Sequence, residues 1–164
     1  NSGEIISCDL RGAALAELER RAARAGATIV KTLMLEHAEP AGAFDLVFVD
    51  APCSGSGTWR RQPELRWRLT PARLAEFRTV QDGLLDRAAV LVAPGGRLAY
   101  ATCSILPTEN QDRVAAFLAR HPGFAPENAA PSLPGPVPGL GGDFRATPLL
   151  TGTDGFYAAI LRRV

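Results

Sequence analysis

Two short stretches of the sequence hold side chains with evident chemical potential. The first, "DAPCSGSGTWRR" (residues 50–61), places an acid three residues before Cys53, with two glycines just beyond it. The second, "YATCSILPTENQDRV", carries another thiol, Cys103. A thiolate is a good nucleophile, and an acid beside the substrate can hold or protonate the group under attack. Glycines 55 and 57 would let the loop backbone approach a flat substrate closely.

The apolar patterning predicts the elements that must position these side chains. Predicted strands cover residues 4–9, 28–35, 44–50 and 97–104, and predicted helices cover residues 11–26, 70–92 and 109–120. Strands that alternate with helices indicate an α/β fold with a mostly parallel sheet. Residues 121–142 are rich in Pro and Gly and are typical of an irregular connection, and the two segments "DFRATPLL" and "DGFYAAILRR" then predict an antiparallel strand pair.

The predicted strand ends bring the reactive side chains together. Asp9 ends the first strand, Asp50 ends the third with Cys53 just beyond it, and Cys103 ends the fourth. Ligands of open α/β sheets bind outside the carboxyl ends of the strands. We therefore expect two acids and two thiols at one edge of the sheet.

Asp9 has two interpretations. An acid after a strand of a nucleotide-binding sheet accepts hydrogen bonds from ribose hydroxyls, but an acid in this place also caps a following helix. The glycine-rich turn of a nucleotide site is expected about 20 residues upstream of such an acid, which is before Asn1. We therefore expect residues 1–164 to be the C-terminal part of a larger domain, and to bind a nucleotide cofactor weakly or not at all on their own.

The cysteines also have two interpretations. A lone cysteine near a sheet is most often an inert small hydrophobic residue. Two thiols at neighbouring strand ends, with arginines nearby to favour the thiolate, indicate reactive groups instead. Cys8 lies within a predicted strand and is expected in the core. Three cysteines and two histidines without ligand spacing predict no metal site.

Positive charge is concentrated directly after the first motif. Residues 59–73 contain five arginines against one glutamate, together with two tryptophans. The segment is either a solvated surface or a surface for phosphates and stacked bases. In the second case Arg60, Arg61 and Arg66 are the candidate contacts to RNA or DNA.

Length and composition limit the class of protein and its cellular compartment. A chain of 164 residues with 46% hydrophobic residues fits one folded domain and not a disordered segment. Its apolar runs are too short for a transmembrane helix, and no signal peptide is evident at the beginning. An odd number of cysteines without a C-x-x-C pattern favours reduced thiols and a cytoplasmic protein.

Three segments carry a resemblance to a known family. "DAPCSGSGTWRRQPELRW", "YATCSILPTENQDRV" and the tail "TGTDGFYAAILRR" resemble the Sun family of RNA 5-methylcytosine methyltransferases. The resemblance implies a Rossmann-like class I methyltransferase fold and S-adenosylmethionine as methyl donor. It also implies that residues 1–164 form part of the catalytic domain of an enzyme acting on cytosine in rRNA or tRNA.

The resemblance also assigns roles to individual residues. Cys103 matches the nucleophile, Cys53 the residue that assists product release, and Asp9 the ribose-binding acid. Asp50 matches an acid shared by the cofactor and cytosine sites. The motif for the acid that contacts adenine is not matched in residues 30–40, where Glu36 is the candidate.

Alternatives remain open from the residues alone. DNA cytosine methyltransferases use a Pro-Cys loop as nucleophile, and Pro52–Cys53 is similar to it, so a DNA enzyme with Cys53 as nucleophile is one alternative. An inactive RNA-binding or structural module is another. In either enzyme a thiolate adds to carbon 6 of cytosine and so activates carbon 5 toward methylation. A cytosine that is base-paired has to be flipped out of its helix or presented unpaired before this reaction.

Overall fold

The computed structural model describes residues 1–35, 42–128 and 139–164. The chain divides into two compact units, Asn1–Gly42 and Ala43–Val164. None of the described helices is long and apolar enough to cross a membrane.

The first unit is a strand–helix–strand element. Strand β1 (Ile5–Asp9) leads into helix α1 (Gly12–Arg24), and strand β2 (Val30–Met34) returns parallel to β1 with Asp9 opposite Met34. Leu15 is the buried residue of α1, on its apolar side. The three elements predicted from the sequence are confirmed, with ends that differ by one to two residues.

The second unit begins with the strand that precedes the first motif. Its elements are β3 (Phe44–Asp50), α2 (Glu64–Arg68), α3 (Pro71–Leu91), β4 (Val92–Thr102), α4 (Gln111–Arg120), β5 (Phe124–Glu127), β6 (Phe144–Ala146), α5 (Pro148–Thr151) and β7 (Phe156–Arg163). Two 3-10 turns, Ser56–Thr58 and Pro107–Glu109, follow the two cysteines.

These strands form one mixed sheet in the order β3-β4-β7-β5, with β6 also paired to β7. Strands β3 and β4 run parallel, and β7 is antiparallel to β4, β5 and β6. The predicted α/β fold with an antiparallel C-terminal strand pair is confirmed. Because parallel strands end at the same edge, the loops after β3 and β4 leave the sheet side by side.

Helix α3 packs on this sheet and closes its core. The Thr70 hydroxyl accepts a hydrogen bond from the backbone N–H of Arg73, and Pro71 occupies the first helical position, as their order in the sequence predicts. Leu85 is fully buried against the sheet residues Leu98 and Leu161. Helix α3 and the strands β4 and β7 therefore share one hydrophobic core.

The segment after α4 differs from the sequence prediction. Residues 124–127 of the expected irregular connection form β5, which pairs with β7 and places Pro126 opposite Leu161. A proline cannot donate a ladder hydrogen bond, so it weakens the strand pattern in the sequence, but it is tolerated at the edge of a sheet. Between β6 and β7 the chain forms the short helix α5 where the sequence suggested a continuous strand.

Candidate active site

The ends of β3 and β4 bring the two motifs together. Asp50 lies opposite Ala101 in the parallel register, and the N–H of Ala51 donates to the carbonyl of Ala101 at 2.9 Å. Further out, the N–H of Gly57 donates to the carbonyl of Cys103 at 3.0 Å. The two loops are therefore bonded to each other through their backbones, although about 50 residues separate them in the chain.

The two thiols form a pair. The Sγ atoms of Cys53 and Cys103 are 3.4 Å apart, and both residues are half-buried and free of disulfides. The hydrogen bond between them lowers the pKa of Cys103 to about 7 and raises the pKa of Cys53, with burial adding to the second effect. Near neutral pH Cys103 is therefore the partner that becomes a thiolate, and Cys53 is the thiol that donates to it.

A buried polar cluster surrounds this pair, and the sequence interpretation did not include its central member. Glu109, at the end of the second 3-10 turn, accepts hydrogen bonds from the Ser54 N–H at 2.9 Å and the Ser104 hydroxyl at 2.6 Å. In the sequence Glu109 resembles an ordinary acid near the start of a helix, which is normally solvated. The only sequence signal was its position within the second motif.

Two glycines let the first loop pack against the chain before β7. Gly55 has a φ of 64°, a conformation that side chains rarely adopt. The Gly155 N–H donates to the Gly57 carbonyl at 2.8 Å, and a Cβ atom on Gly57 would lie 2.1 Å from the Gly155 carbonyl oxygen. The close approach expected of Gly57 is therefore made toward the protein's own backbone.

The two acids occupy strand ends, one in each unit. Asp50 is exposed at the end of β3. Asp9 ends β1, and its carboxylate accepts hydrogen bonds from the N–H and the guanidinium of Arg11, which lower its pKa. The helix-cap interpretation does not hold, because Arg11 is the N-cap residue of α1 and no described side chain caps this helix. The pairing of Asp9 with Arg11 is local to the strand end. It leaves acceptor capacity on the carboxylate for other donors.

The arginines after the first motif differ in their surroundings. Arg60 and Arg61 both pair with Asp154, whose side chain is only 10% exposed, and the Arg60–Asp154 distance is 3.2 Å. The Arg66 guanidinium lies 5.5 Å from the ring centre of Trp67, which is 79% exposed. No sequence pattern indicated Asp154, which lies about 90 residues further along the chain.

Two further residues were singled out from the sequence. Cys8 is half-buried in β1, where burial raises its pKa. Glu36 lies outside the described residues. Within residues 1–35, 42–128 and 139–164, no three His, Cys, Asp or Glu side chains are grouped to hold a metal ion.

The fold and the paired motifs together define a class. The mixed sheet, with its reactive loops at the carboxyl ends of two parallel strands, is that of a Rossmann-like methyltransferase. The chain belongs to the 16S rRNA methyltransferase RsmB/F family, whose model matches residues 1–162. The resemblance to the Sun family of RNA methyltransferases is thereby confirmed.

Individual relatives support this membership. The chain is 42% identical over 164 residues to the ribosomal RNA small subunit methyltransferase B of Thermus thermophilus, covering 98% of this chain and 40% of that protein. It is 34% identical to the probable ribosomal RNA small subunit methyltransferase B of Bacillus subtilis, covering 99% of this chain and 38% of that protein. The chain thus spans about two fifths of the length of these relatives.

A solved structure gives the same result in three dimensions. The crystal structure of NSun6 from Pyrococcus horikoshii with SFG matches with a TM-score of 0.82 and 27% identity. The match covers 99% of this chain and 42% of that one. The fold assignment therefore rests on both sequence and structural similarity.

Proposed function

We propose that the protein transfers a methyl group from S-adenosylmethionine to carbon 5 of a cytosine in ribosomal RNA. The observation that carries this proposal is the Cys53–Cys103 pair, whose Sγ atoms lie 3.4 Å apart in the loops after two parallel strands. The names of the relatives, which are ribosomal RNA methyltransferases, support rRNA over tRNA as the substrate class.

Carbon 5 of cytosine is a poor nucleophile, and the protein has to activate it. The Cys103 thiolate adds to carbon 6, so that a C–S bond forms and the electron pair of the 5,6 double bond becomes available at carbon 5. With a pKa near 7, Cys103 supplies thiolate at neutral pH. In this proposal Asp50, which is exposed at the neighbouring strand end, holds the polar edge of the base.

The covalent bond then has to be broken. Once carbon 5 carries the methyl group, a solvent water takes its proton, and the electron pair of that C–H bond restores the 5,6 double bond and expels the Cys103 thiolate from carbon 6. The Cys53 thiol donates to that sulfur and stabilises the negative charge that returns to it. Cys53 thus assists product release because it remains a thiol when Cys103 is a thiolate.

The methyl donor requires acceptors for its ribose hydroxyls. Asp9 fits this role, since its carboxylate ends β1, is 28% exposed and retains acceptor capacity beside Arg11. S-adenosylmethionine would supply the electrophilic methyl group that carbon 5 takes up. The relative from Pyrococcus horikoshii, solved with an analogue of S-adenosylmethionine, supports this choice of donor.

The RNA requires a positively charged and aromatic surface. Arg66 and Trp67 offer an exposed guanidinium and an exposed ring for a phosphate and a stacked base. Arg60 and Arg61 extend this positive surface, with part of their charge balanced by Asp154.

Methyl transfer tests the proposal directly. A complete catalytic domain that includes residues 1–164, incubated with S-adenosylmethionine labelled in its methyl group, is offered unmethylated 16S rRNA, the same sequence as DNA, and a tRNA. We expect label in 5-methylcytosine of the rRNA only. Label in the DNA alone would support the DNA cytosine methyltransferase instead, and a failure to label any substrate while the donor binds would contradict the proposed activity.

A further inference from the structure

We propose that Glu109 is a positioning residue, whose buried carboxylate holds the Cys53 loop and the Cys103 loop in the register that pairs the two thiols. This inference deepens the proposed function and rests on it for its catalytic meaning. Its structural part, the pairing of the thiols, can be tested without RNA or methyl donor.

One carboxylate joins both loops at the residues next to the thiols. Glu109 is 0% exposed. Its Oε1 atom accepts from the N–H of Ser54, the residue after Cys53, at 2.9 Å. Its Oε2 atom accepts from the hydroxyl of Ser104, the residue after Cys103, at 2.6 Å, and also from the Ser54 hydroxyl.

A third element is tied to the same carboxylate. The side-chain amide of Gln81, fully buried on α3, donates to Glu109 Oε1 at 3.2 Å and to the Pro52 carbonyl at 2.9 Å. The amide therefore fixes the residue before Cys53 as well as the carboxylate. Helix α3, the first loop and the second loop all meet at Glu109.

Glu109 is itself held in place from the strand side. The Tyr100 hydroxyl donates to the Glu109 carbonyl at 2.6 Å. The neighbouring Asn110 accepts from the Thr102 hydroxyl at 2.6 Å and donates to the Ser104 carbonyl at 2.9 Å. These bonds hold the backbone of Glu109 and Asn110 against the end of β4, so the carboxylate extends from an anchored turn.

For holding the two loops, the length of the Glu109 side chain (its reach) matters more than its negative charge. All four of its hydrogen-bond donors are neutral groups: a backbone N–H, two hydroxyls and an amide. Its negative charge contributes to raising the pKa of both thiols, which opposes thiolate formation. A glutamine has the same shape, can accept at its oxygen from Ser54 N–H and Gln81, and can donate at its nitrogen to the two serine hydroxyls.

Three substitutions separate reach from charge. Glu109→Gln keeps the reach and removes the charge, Glu109→Asp keeps the charge and withdraws the carboxylate by one methylene, and Glu109→Ala removes both. Glu127→Asp is the matched control, because it shortens a glutamate that pairs with Arg97 away from the thiols.

The first measurement is the alkylation of each thiol by iodoacetamide as a function of pH, followed by mass spectrometry of the full chain. In the wild type and in Glu127→Asp we expect Cys103 to react about tenfold or more faster than Cys53 at neutral pH, because only Cys103 is a thiolate there. Glu109→Gln should keep this selectivity, and the pH at which Cys103 alkylation reaches half its maximum rate should be unchanged or lower. In Glu109→Asp and Glu109→Ala we expect the selectivity to fall and the pH of half-maximal Cys103 alkylation to rise.

The second measurement is methyl transfer to RNA by the same variants, each made in a complete catalytic domain that includes residues 1–164. Displacement of a reacting group by about 1 Å costs about 100-fold in rate, so we expect Glu109→Asp to lose about 100-fold in kcat with KM for RNA unchanged. Glu109→Gln should stay within a few-fold of the wild type.

Two results would overturn the inference: a folded Glu109→Asp with wild-type selectivity and kcat, or a Glu109→Gln that loses as much as Glu109→Asp. If Glu109→Asp and Glu109→Ala do not fold, Ser54→Ala and Ser104→Ala each remove one donor, and unchanged alkylation in both would overturn it equally. Altered alkylation together with a wild type that methylates no RNA would refute the proposed function and leave the pairing role intact.

Discussion

The two cysteines show how one side-chain type acquires two states from its surroundings. Cys53 and Cys103 face each other at 3.4 Å, and the hydrogen bond that lowers the pKa of one raises the pKa of the other. A nucleophile needs the lowered pKa, and a donor to a departing sulfur needs the raised one. The assignment of Cys103 as nucleophile therefore has a physical basis in addition to the family resemblance.

This difference predicts a pH dependence. Because the pKa of Cys103 is lowered to about 7, its alkylation by iodoacetamide should be slow below pH 7, where the thiol is protonated, and should rise through a midpoint near pH 7. In Cys53→Ala the hydrogen bond is lost, and the midpoint should move up toward about 8.5, the value of a free cysteine. Cys8→Ala, altered in the first unit, should leave the midpoint unchanged, whereas an unchanged midpoint in Cys53→Ala would show that the pair is not coupled.

At the scale of the elements, the packing of three loops on one another positions the site. The loop after β3 bonds to the loop after β4 through Gly57 and Cys103, and to the chain before β7 through Gly57 and Gly155. Gly57 is the shared contact, because it has no side chain to separate the backbones.

Gly57→Ala should therefore both destabilise the protein and weaken its activity. A Cβ atom would lie 2.1 Å from the Gly155 carbonyl oxygen, and overpacking of this kind costs about 1–3 kcal/mol of unfolding free energy. The control is Gly83→Ala within α3, where a Cβ atom meets nothing within 4 Å and where alanine should stabilise the helix by about 1 kcal/mol. Denaturant unfolding measures both, and equal stabilities for the two variants would contradict the contact.

The strands and helices were largely predictable from the sequence, but the long-range contacts of the site residues were not. The apolar run ending at Asp50 predicted β3, and the Thr70–Pro71 pair predicted the start of α3, because both signals are local. The roles of Glu109 and Asp154 depend on residues about 50 and 90 positions away, which no local pattern encodes. The strand β5 was missed because Pro126 is disfavoured in strands except at an edge.

At the scale of the whole molecule, charge is distributed unevenly although the net charge is only +1. The segment with five arginines, residues 59–73, follows the loop of Cys53 directly in the chain. Asp154 balances part of this charge at Arg60 and Arg61 and leaves Arg66 beside Trp67. Net charge alone would have concealed this surface.

This distribution predicts how RNA binding responds to salt. Each phosphate contact contributes about 0.7–0.9 to the slope of log affinity against log salt concentration, so Arg66→Ala should weaken RNA binding and reduce the slope by nearly one unit. Changing Arg60, Arg61 and Arg66 together to alanine should reduce the slope further. Arg60 and Arg61 should each contribute less to this reduction than Arg66 does, because both already pair with Asp154. Arg120→Ala is the control, since Arg120 pairs with Asp86 on α3. An unchanged slope in the triple variant would show that residues 59–73 are a solvated surface that does not contact RNA.

The most direct test of the account is covalent trapping of RNA by the two single cysteine variants. A complete catalytic domain carrying Cys53→Ala or Cys103→Ala is incubated at pH 9, where an ordinary thiol is also ionised, with S-adenosylmethionine and substrate RNA, and is then run on a denaturing gel. We predict that Cys53→Ala accumulates a protein–RNA band that RNase removes, because Cys103 still attacks but its release is slowed, and that Cys103→Ala forms no such band. A band in Cys103→Ala and none in Cys53→Ala would reverse the assignment, and near-normal turnover by both variants would contradict covalent catalysis itself.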